Sequence, residues 1–233
     1  MFKRIRNEWR SLASREAVKA FRHVGLLLAA GAGTRFGGDY EGAKLDHAID
    51  GVSIGVRTLE TLATVCDAVI VVVREPTSRL ACVARGRGAE IVVNPTPSRG
   101  LGFSMALGAT FAIENFPSAQ MLWVQLADLP FLKTDTLRRL ASDERLLDTE
   151  SQTRIFRLIY QGTALPGAES RSSARVGHPV VFGRAHWEAL TRLDGELGAQ
   201  PVIAANRSRL IEIETDDDGV WHDVDSITDL GER

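Results

Sequence analysis

Four short runs of branched, apolar residues, each set against a stretch with helical spacing, confine this chain to a narrow set of folds. Val24–Ala29, Ala68–Val73, Glu90–Val93 and Leu122–Leu126 read as strands, and Ser53–Val65, Thr77–Ala84, Phe103–Glu114 and Thr134–Leu147 read as helices between and after them. A run such as AVIVVV has no polar alternation, so both of its faces must be covered. The succession therefore predicts an α/β domain with a mostly parallel sheet, right-handed crossovers and helices on both faces. With 233 residues, 44% of them hydrophobic, the chain can bury the core that such a sheet needs. Sites in such sheets gather beyond the carboxyl ends of the strands.

The first strand runs into LLLAAGAGTRFGG, Leu26 to Gly38, where four glycines crowd around a turn. Backbone N–H groups in such a loop can approach an anion closely, because glycine adds no bulk and tolerates positive φ. A plain βα turn would serve without a ligand, but it has no need of Arg35 in the loop or Lys44 just beyond it, and the two cations point to phosphate. The loop fits neither common template. Asp39 and Tyr40 stand where a Walker loop has Lys and Ser/Thr, and Gly31, Gly33 and Gly37 are spaced G-x-G-x-x-x-G, one residue off the dinucleotide fingerprint. Asp50 lies near the distance of a ribose-binding carboxylate, which keeps a dehydrogenase open as a weak alternative.

Three further constellations fall where strands end. Asn94 to Leu107 reads NPTPSRGLGFSMAL, with Gly100 and Gly102 opening a helix and Ser104 in its first turn; the free N–H groups there could cradle a nucleotide, or the segment is an ordinary N-cap. Leu126 to Leu132 reads LADLPFL, placing Asp128 at the end of an apolar strand as a turn residue or a Mg²⁺ ligand. In WHDVD, Trp221 to Asp225, alternation along a strand would point Asp223 and Asp225 to one side.

Charge and cysteine content narrow the partners. A net charge of −2 excludes a protein built mainly to hold nucleic acid. Cys66 and Cys82 fall in segments that read as helical and lack metal-ligand spacing, so they read as packing residues of a reducing, cytoplasmic compartment. Met1 to Val24 carries seven Lys/Arg against two Glu, with Phe2, Ile5, Trp9, Leu12 and Phe21 at near-helical steps. Residues 1–23 thus read as a basic amphipathic helical extension of a domain over 24–233. The extension either docks on its own domain or a neighbouring subunit, or touches an anionic partner or membrane surface; it lacks the apolar run of a signal peptide and predicts no stable membrane insertion.

Together, LAAGAGTRFG with Lys44-Leu45, NP…GLGFSMALGA, LADLPFL, GHPVVFGRAHWEAL and HDVDSITDL resemble the MobA-like nucleotidyltransferases in the family's order, from Val24 to Leu230. The branch most resembled is the molybdenum cofactor cytidylyltransferases. The resemblance implies a Rossmann-like three-layer α/β/α domain that binds an NTP with Mg²⁺ and transfers NMP onto a phosphorylated acceptor. In the nearest branch CMP passes from CTP to the terminal phosphate of molybdenum-bound molybdopterin, and a molybdenum enzyme is the receiver of the product. Carried onto matching positions, it makes Arg35, Lys44, Asp128 and Asp225 catalytic, with Asp128 and Asp225 holding the metal. Ala29, Ala30, Gly31, Gly33, Asn94, Gly102 and Ser104 would bind the nucleotide, and Gly177, His178 and Pro179 the acceptor. Ala30 stands where the guanylyl branch usually has a glycine, which favours CTP.

The chain departs from the family pattern where Asp39 to Ala43 separate Gly38 from Lys44, where Asp46-His47 replaces a usual proline, and where Gly51-Val52-Ser53 replaces Gly-Lys-Pro. Two alternatives stay open: an NTP transferase acting on a sugar or alcohol phosphate, and a non-catalytic maturation factor for a molybdenum enzyme. A pure binding module has no use for both Asp128 and Asp225, which counts against the second.

Overall fold

Strand β1 (His23–Ala29) is the axis of the domain, hydrogen-bonded in parallel to β4 (Ala68–Val73) on one side and β6 (Met121–Leu126) on the other. The computed structural model describes residues 21–31, 43–162, 174–226 and 229, so the N-terminal arm up to residue 20, with the extension expected there, lies outside the described residues. Beyond β4 lies β5 (Glu90–Val93), and beyond β6 come β8 (Arg175–Gly183), β7 (Ile155–Tyr160) and β9 (Leu210–Thr215), giving the order β5-β4-β1-β6-β8-β7-β9. Only β8 runs against the rest of this sheet. The expected mostly parallel sheet is present.

Alternation along the strands splits the core in two. Val24, Leu26, Leu28, Ile70, Val72, Leu122 and Val124 pack into one cluster, while Leu27, Val69, Val71, Val73 and Trp123 pack into the other. Because successive strand side chains point to opposite faces, an unbroken apolar run demands cover on both. The first face is covered by Met105, Ala106, Ala109 and Ala112 from the long helix Leu101–Asn115, with Trp187 and Leu190 of helix Trp187–Leu190 and Val202 and Ile203 of helix Gln200–Ala205. The second is covered by helices Ile54–Ala63, Arg79–Gly86, Thr134–Ala141 and Glu144–Leu147 through Leu59, Leu62, Leu80, Leu137, Leu140 and Leu146. The result is a Rossmann-like α/β/α sandwich.

The four expected strands sit within a residue of their expected bounds. The expected helix Thr134–Leu147 is broken into two, and Asp143 caps the second by accepting from the Arg145 N–H at 2.9 Å. Cys66 lies past the end of helix Ile54–Ala63, packed against the core, whereas Cys82 is exposed on helix Arg79–Gly86 and is not the packing residue expected. Among the described residues, no helix is long and apolar enough to cross a membrane.

Candidate active site

The carboxyl ends of β1, β4, β5 and β6 open into a cleft of about 780 Å³. Ala30 and Gly31 follow β1, Arg74 follows β4, Pro95 and Thr96 follow β5, and Asp128 lies two residues past β6. This is where the strand order reverses about β1, the usual place for a ligand in an open parallel sheet, and the volume lies within the ~300–1,000 Å³ of small-molecule sites.

Three carboxylates meet on one wall. Asp128, Asp223 and Asp225 each bring an oxygen within 4.8 Å of the others. Asp223 and Asp225 do not reach this point along a strand, as alternation predicted; residues 222–225 form none. Instead Val224, wholly buried beside Ile54 and packed near Phe131, donates its N–H to the Asp128 carbonyl at 3.0 Å, which pins the chain and leaves the two flanking carboxylates beside Asp128. Asp229 holds the far side by accepting from the N–H groups of Asp225 at 2.8 Å and Ser226 at 2.7 Å. Partial burial, with the charges of Asp128 and Asp225, pushes the Asp223 carboxyl above its ordinary pKa.

Lys44 closes the cluster. The short helix Ala43–Asp46 delivers it, anchored by Leu45 against the Ile54–Val224 pair, and its Nζ donates to Asp128 Oδ2 at 2.7 Å and Asp225 Oδ1 at 2.9 Å. The side chain is only 8% exposed. Burial alone would lower its pKa, but the two carboxylates outweigh that and hold the ammonium above its ordinary value. Asp128 Oδ1 remains buried with no hydrogen-bond partner among the described residues. An orphaned carboxylate oxygen within an all-oxygen donor set fits a hard divalent cation.

Of the other expected nucleotide-binding positions, Ala30, Gly31 and Ser104 line the cleft, while Ala29 faces an adjoining pocket beside Leu45 and Arg74. At Gly31 no described atom lies within 4 Å of where a Cβ would stand, so the space beside it is open. Asn94 is wholly buried, donating to Ser104 Oγ at 2.8 Å and accepting from the Thr96 N–H at 2.9 Å; it positions the end of β5 against the long helix. Gly102 is likewise occupied. Its N–H donates to Gly195 O at 2.8 Å, and a Cβ there would lie 2.7 Å from the Asp194 carbonyl oxygen, so the helix start expected to offer free N–H groups uses this one to seat the 194–195 loop.

His178 enters from the opposite direction. Because β8 is antiparallel to β6, with Val180 paired to Val124, residues before Val180 lie at the same sheet edge as the ends of β1 and β6. His178 Nδ1 lies 3.5 Å from Val124 O, and burial pushes its pKa below the ordinary histidine value against the pull of Asp128. It lines a small slot with Val176, Leu197, Met105, Leu101 and Leu126, the last two shared with the cleft. Gly177 packs instead: a Cβ there would lie 2.6 Å from Val220 Cγ2. Pro179 follows His178 through a cis peptide bond.

Arg35 and Gly33 lie outside the described residues, as does most of the polar segment before Arg175. Asp50 is in the turn between strands β2 (Ala48–Ile49) and β3 (Val52–Ser53), its side chain 90% exposed and outside the cleft lining, away from where a ribose ligand was expected. Arg74 and Asp223, both at the cleft, were absent from the expected site. Arg74 is the first charged residue after AVIVVV, a signal as clear as Asp128 after its own strand. Asp223 was seen as a partner of Asp225 but not as a third member beside Asp128.

The chain resembles several solved structures. Rv0371c from Mycobacterium tuberculosis H37Rv is 25% identical, covering 91% of this chain and 96% of its own, with a TM-score of 0.66. The same protein in complex with manganese matches at 24% identity over 89% of this chain and 95% of that one, TM-score 0.61. A nucleotidyl transferase from Methanothermobacter thermautotroptrophicus shares the fold at 20% identity and a TM-score of 0.67, with 89% of this chain and 94% of that one covered. None of the curated proteins matches in sequence. The model of the MobA-like NTP transferase domain matches residues 25–210, which takes in Lys44, Asp128, His178 and the cleft lining except Asp223 and Asp225. By that match, over a sheet that gathers Arg74 and Asp128 at the carboxyl ends of its central strands, this chain belongs to the MobA-like NTP transferase domain family, the nucleotidyltransferases.

Proposed function

We propose that the protein transfers CMP from CTP to the terminal phosphate of molybdenum-bound molybdopterin, releasing pyrophosphate. The observation that carries the reading is the carboxylate wall of Asp128, Asp223 and Asp225, facing a cleft of nucleotide size at the sheet's reversal point. In the reaction an acceptor phosphate oxygen forms a bond to the α-phosphorus while the bond to the β-phosphate oxygen breaks in line. The nucleophile is already ionised, so no general base is needed, and catalysis reduces to positioning two anions and neutralising charge. Asp128 and Asp225, with Asp223 beside them, would hold Mg²⁺, which when bound supplies charge neutralisation at the phosphates. The manganese bound by the Rv0371c relative supports a divalent ion here. Arg74 and Lys44, with Arg35 from the glycine loop, hold the triphosphate, and Gly31 leaves the backbone open to it. Ala30, where the guanylyl branch that the chain resembles usually has a glycine, favours CTP over GTP.

The slot beside His178 favours molybdopterin over a sugar phosphate. Val176 and Leu197, 48% and 69% exposed, stand at it as two of the exposed large apolar side chains of the described chain. The apolar walls can stack a flat ring, while Arg157, His178 and Gln200 at the slot can meet the donors and acceptors on a pterin's edge. The test is pyrophosphate release with each of four NTPs, with and without molybdenum-loaded molybdopterin. Release with CTP that depends on the molybdopterin is expected; release with any NTP on a sugar phosphate alone would overturn the acceptor.

A further inference from the structure

Lys44 Nζ stands between Asp128 Oδ2 and Asp225 Oδ1, 2.7 Å and 2.9 Å away, the position a cation bridging those oxygens would take. The two occupants exclude each other. Oxygen ligands lie about 2.0–2.6 Å from Mg²⁺ or Ca²⁺, so an ion bridging these oxygens would fall within the ammonium's own contact distance. Two positive centres so close in a partly buried site repel strongly. We propose that Lys44 is a resident counter-ion that competes with the divalent cation for Asp128 and Asp225, so that cation entry releases the lysine from the carboxylates. The inference rests on reading these aspartates as metal ligands.

Three observations support the exchange. Lys44 pairs with two carboxylates out of three, leaving the cluster with net negative charge that a divalent ion neutralises further. Asp128 Oδ1 stays buried and unpartnered with the lysine in place, so the single ammonium does not saturate the donor set that an ion of higher coordination number can use. The lysine also has somewhere to go. Its carboxylate partners Asp128 and Asp225 themselves line the cleft, and a triphosphate lying there presents a row of new acceptors. Metal without nucleotide must evict the lysine into a poor environment, whereas metal with nucleotide hands it a partner. The exchange therefore makes the two ligands bind together, and keeps the three carboxylates from repelling one another when neither is bound.

The test is Mn²⁺ binding to the full chain, followed by the electron-spin resonance of free Mn²⁺ without nucleotide. Lys44→Met is expected to bind Mn²⁺ about tenfold more tightly than the wild type, in the range of typical site-to-site coupling, and to lose most of the further gain that a non-hydrolysable CTP analogue gives the wild type. Equal or weaker Mn²⁺ binding by Lys44→Met overturns the competition. Asp128→Asn separates this from the underlying reading: if it binds Mn²⁺ as the wild type does, the carboxylates are not the ligands and both statements fall. A second measurement needs no variant. Brief acetic anhydride labelling of the wild type, read by mass spectrometry, should modify Lys44 several-fold faster when Mn²⁺ is present; unchanged or slower labelling overturns the release.

Discussion

Replacing Asp128 by Asn should separate catalysis from stability. The change keeps shape and removes one charge. Lys44 loses its 2.7 Å ion pair but keeps Asp225 at 2.9 Å, and the Asp128 side chain is 25% exposed. Breaking a fully buried pair costs about 3–5 kcal/mol and breaking a surface one about 0–1 kcal/mol, so with one partner retained we expect a cost near ~1–2 kcal/mol. Against this, the variant removes one of three like charges crowded within 4.8 Å, which returns part of that cost. The net loss should be about 1 kcal/mol or less, a fall in Tm of about 2–4 °C for a chain of this size. Turnover should suffer far more. A preorganised charge contact in a phosphoryl-transfer site is worth about 10²–10³ in rate, and losing a ligand to the metal puts the fall at the upper end, about 4 kcal/mol of barrier. Pyrophosphate release and a thermal melt on one preparation give both numbers. Wild-type turnover would remove Asp128 from the chemistry; lost turnover with a Tm collapse well beyond a few degrees would mean that the residue is structural.

Arg74→Ala should weaken binding of a non-hydrolysable CTP analogue about tenfold or more by calorimetry, as a charged contact of ~1.5–3 kcal/mol predicts, and unchanged affinity would place the triphosphate elsewhere in the cleft. Gly102→Ala would drive a Cβ to 2.7 Å from the Asp194 carbonyl oxygen, so a loss of about 1–3 kcal/mol in denaturant unfolding is expected, and an unchanged midpoint would show that the 194–195 loop yields freely. His178 is half-buried with its pKa lowered, so the unfolded chain binds its proton more readily. Its contribution to stability is complete above the ordinary value of about 6.5 and is lost as pH falls below it. Melts at pH about 7.5 and about 5.5 should therefore show a smaller acid loss in His178→Gln than in the wild type, with the remainder owed in part to His23, which is shifted the same way; equal losses would refute the assignment.

The sequence by itself determined the centre of the sheet. AVIVVV, LLLA and the LWV of Leu122–Leu126 are apolar on both faces over a few consecutive residues, and such local patterns need no partner to be read. It also placed Asp128 just past a strand, because the end of an apolar run marks the sheet edge. Tertiary structure alone decided what gathers there. Lys44 meets Asp128 across 84 positions and Asp225 across 181, and no periodicity spans such distances. Asp223 and Asp225 look like alternating strand residues in sequence, yet they converge on Asp128 because Val224 is buried and bonded to the Asp128 carbonyl. The strands β7, β8 and β9 escaped notice, and with them the reversal of β8 that carries His178 to the cleft edge. Gly102 and Asn94 have ligand-binding composition, but their hydrogen bonds go to Gly195, Ser104 and Thr96. Residue type sets what chemistry a side chain can do; which partner it finds depends on packing between segments far apart in the chain.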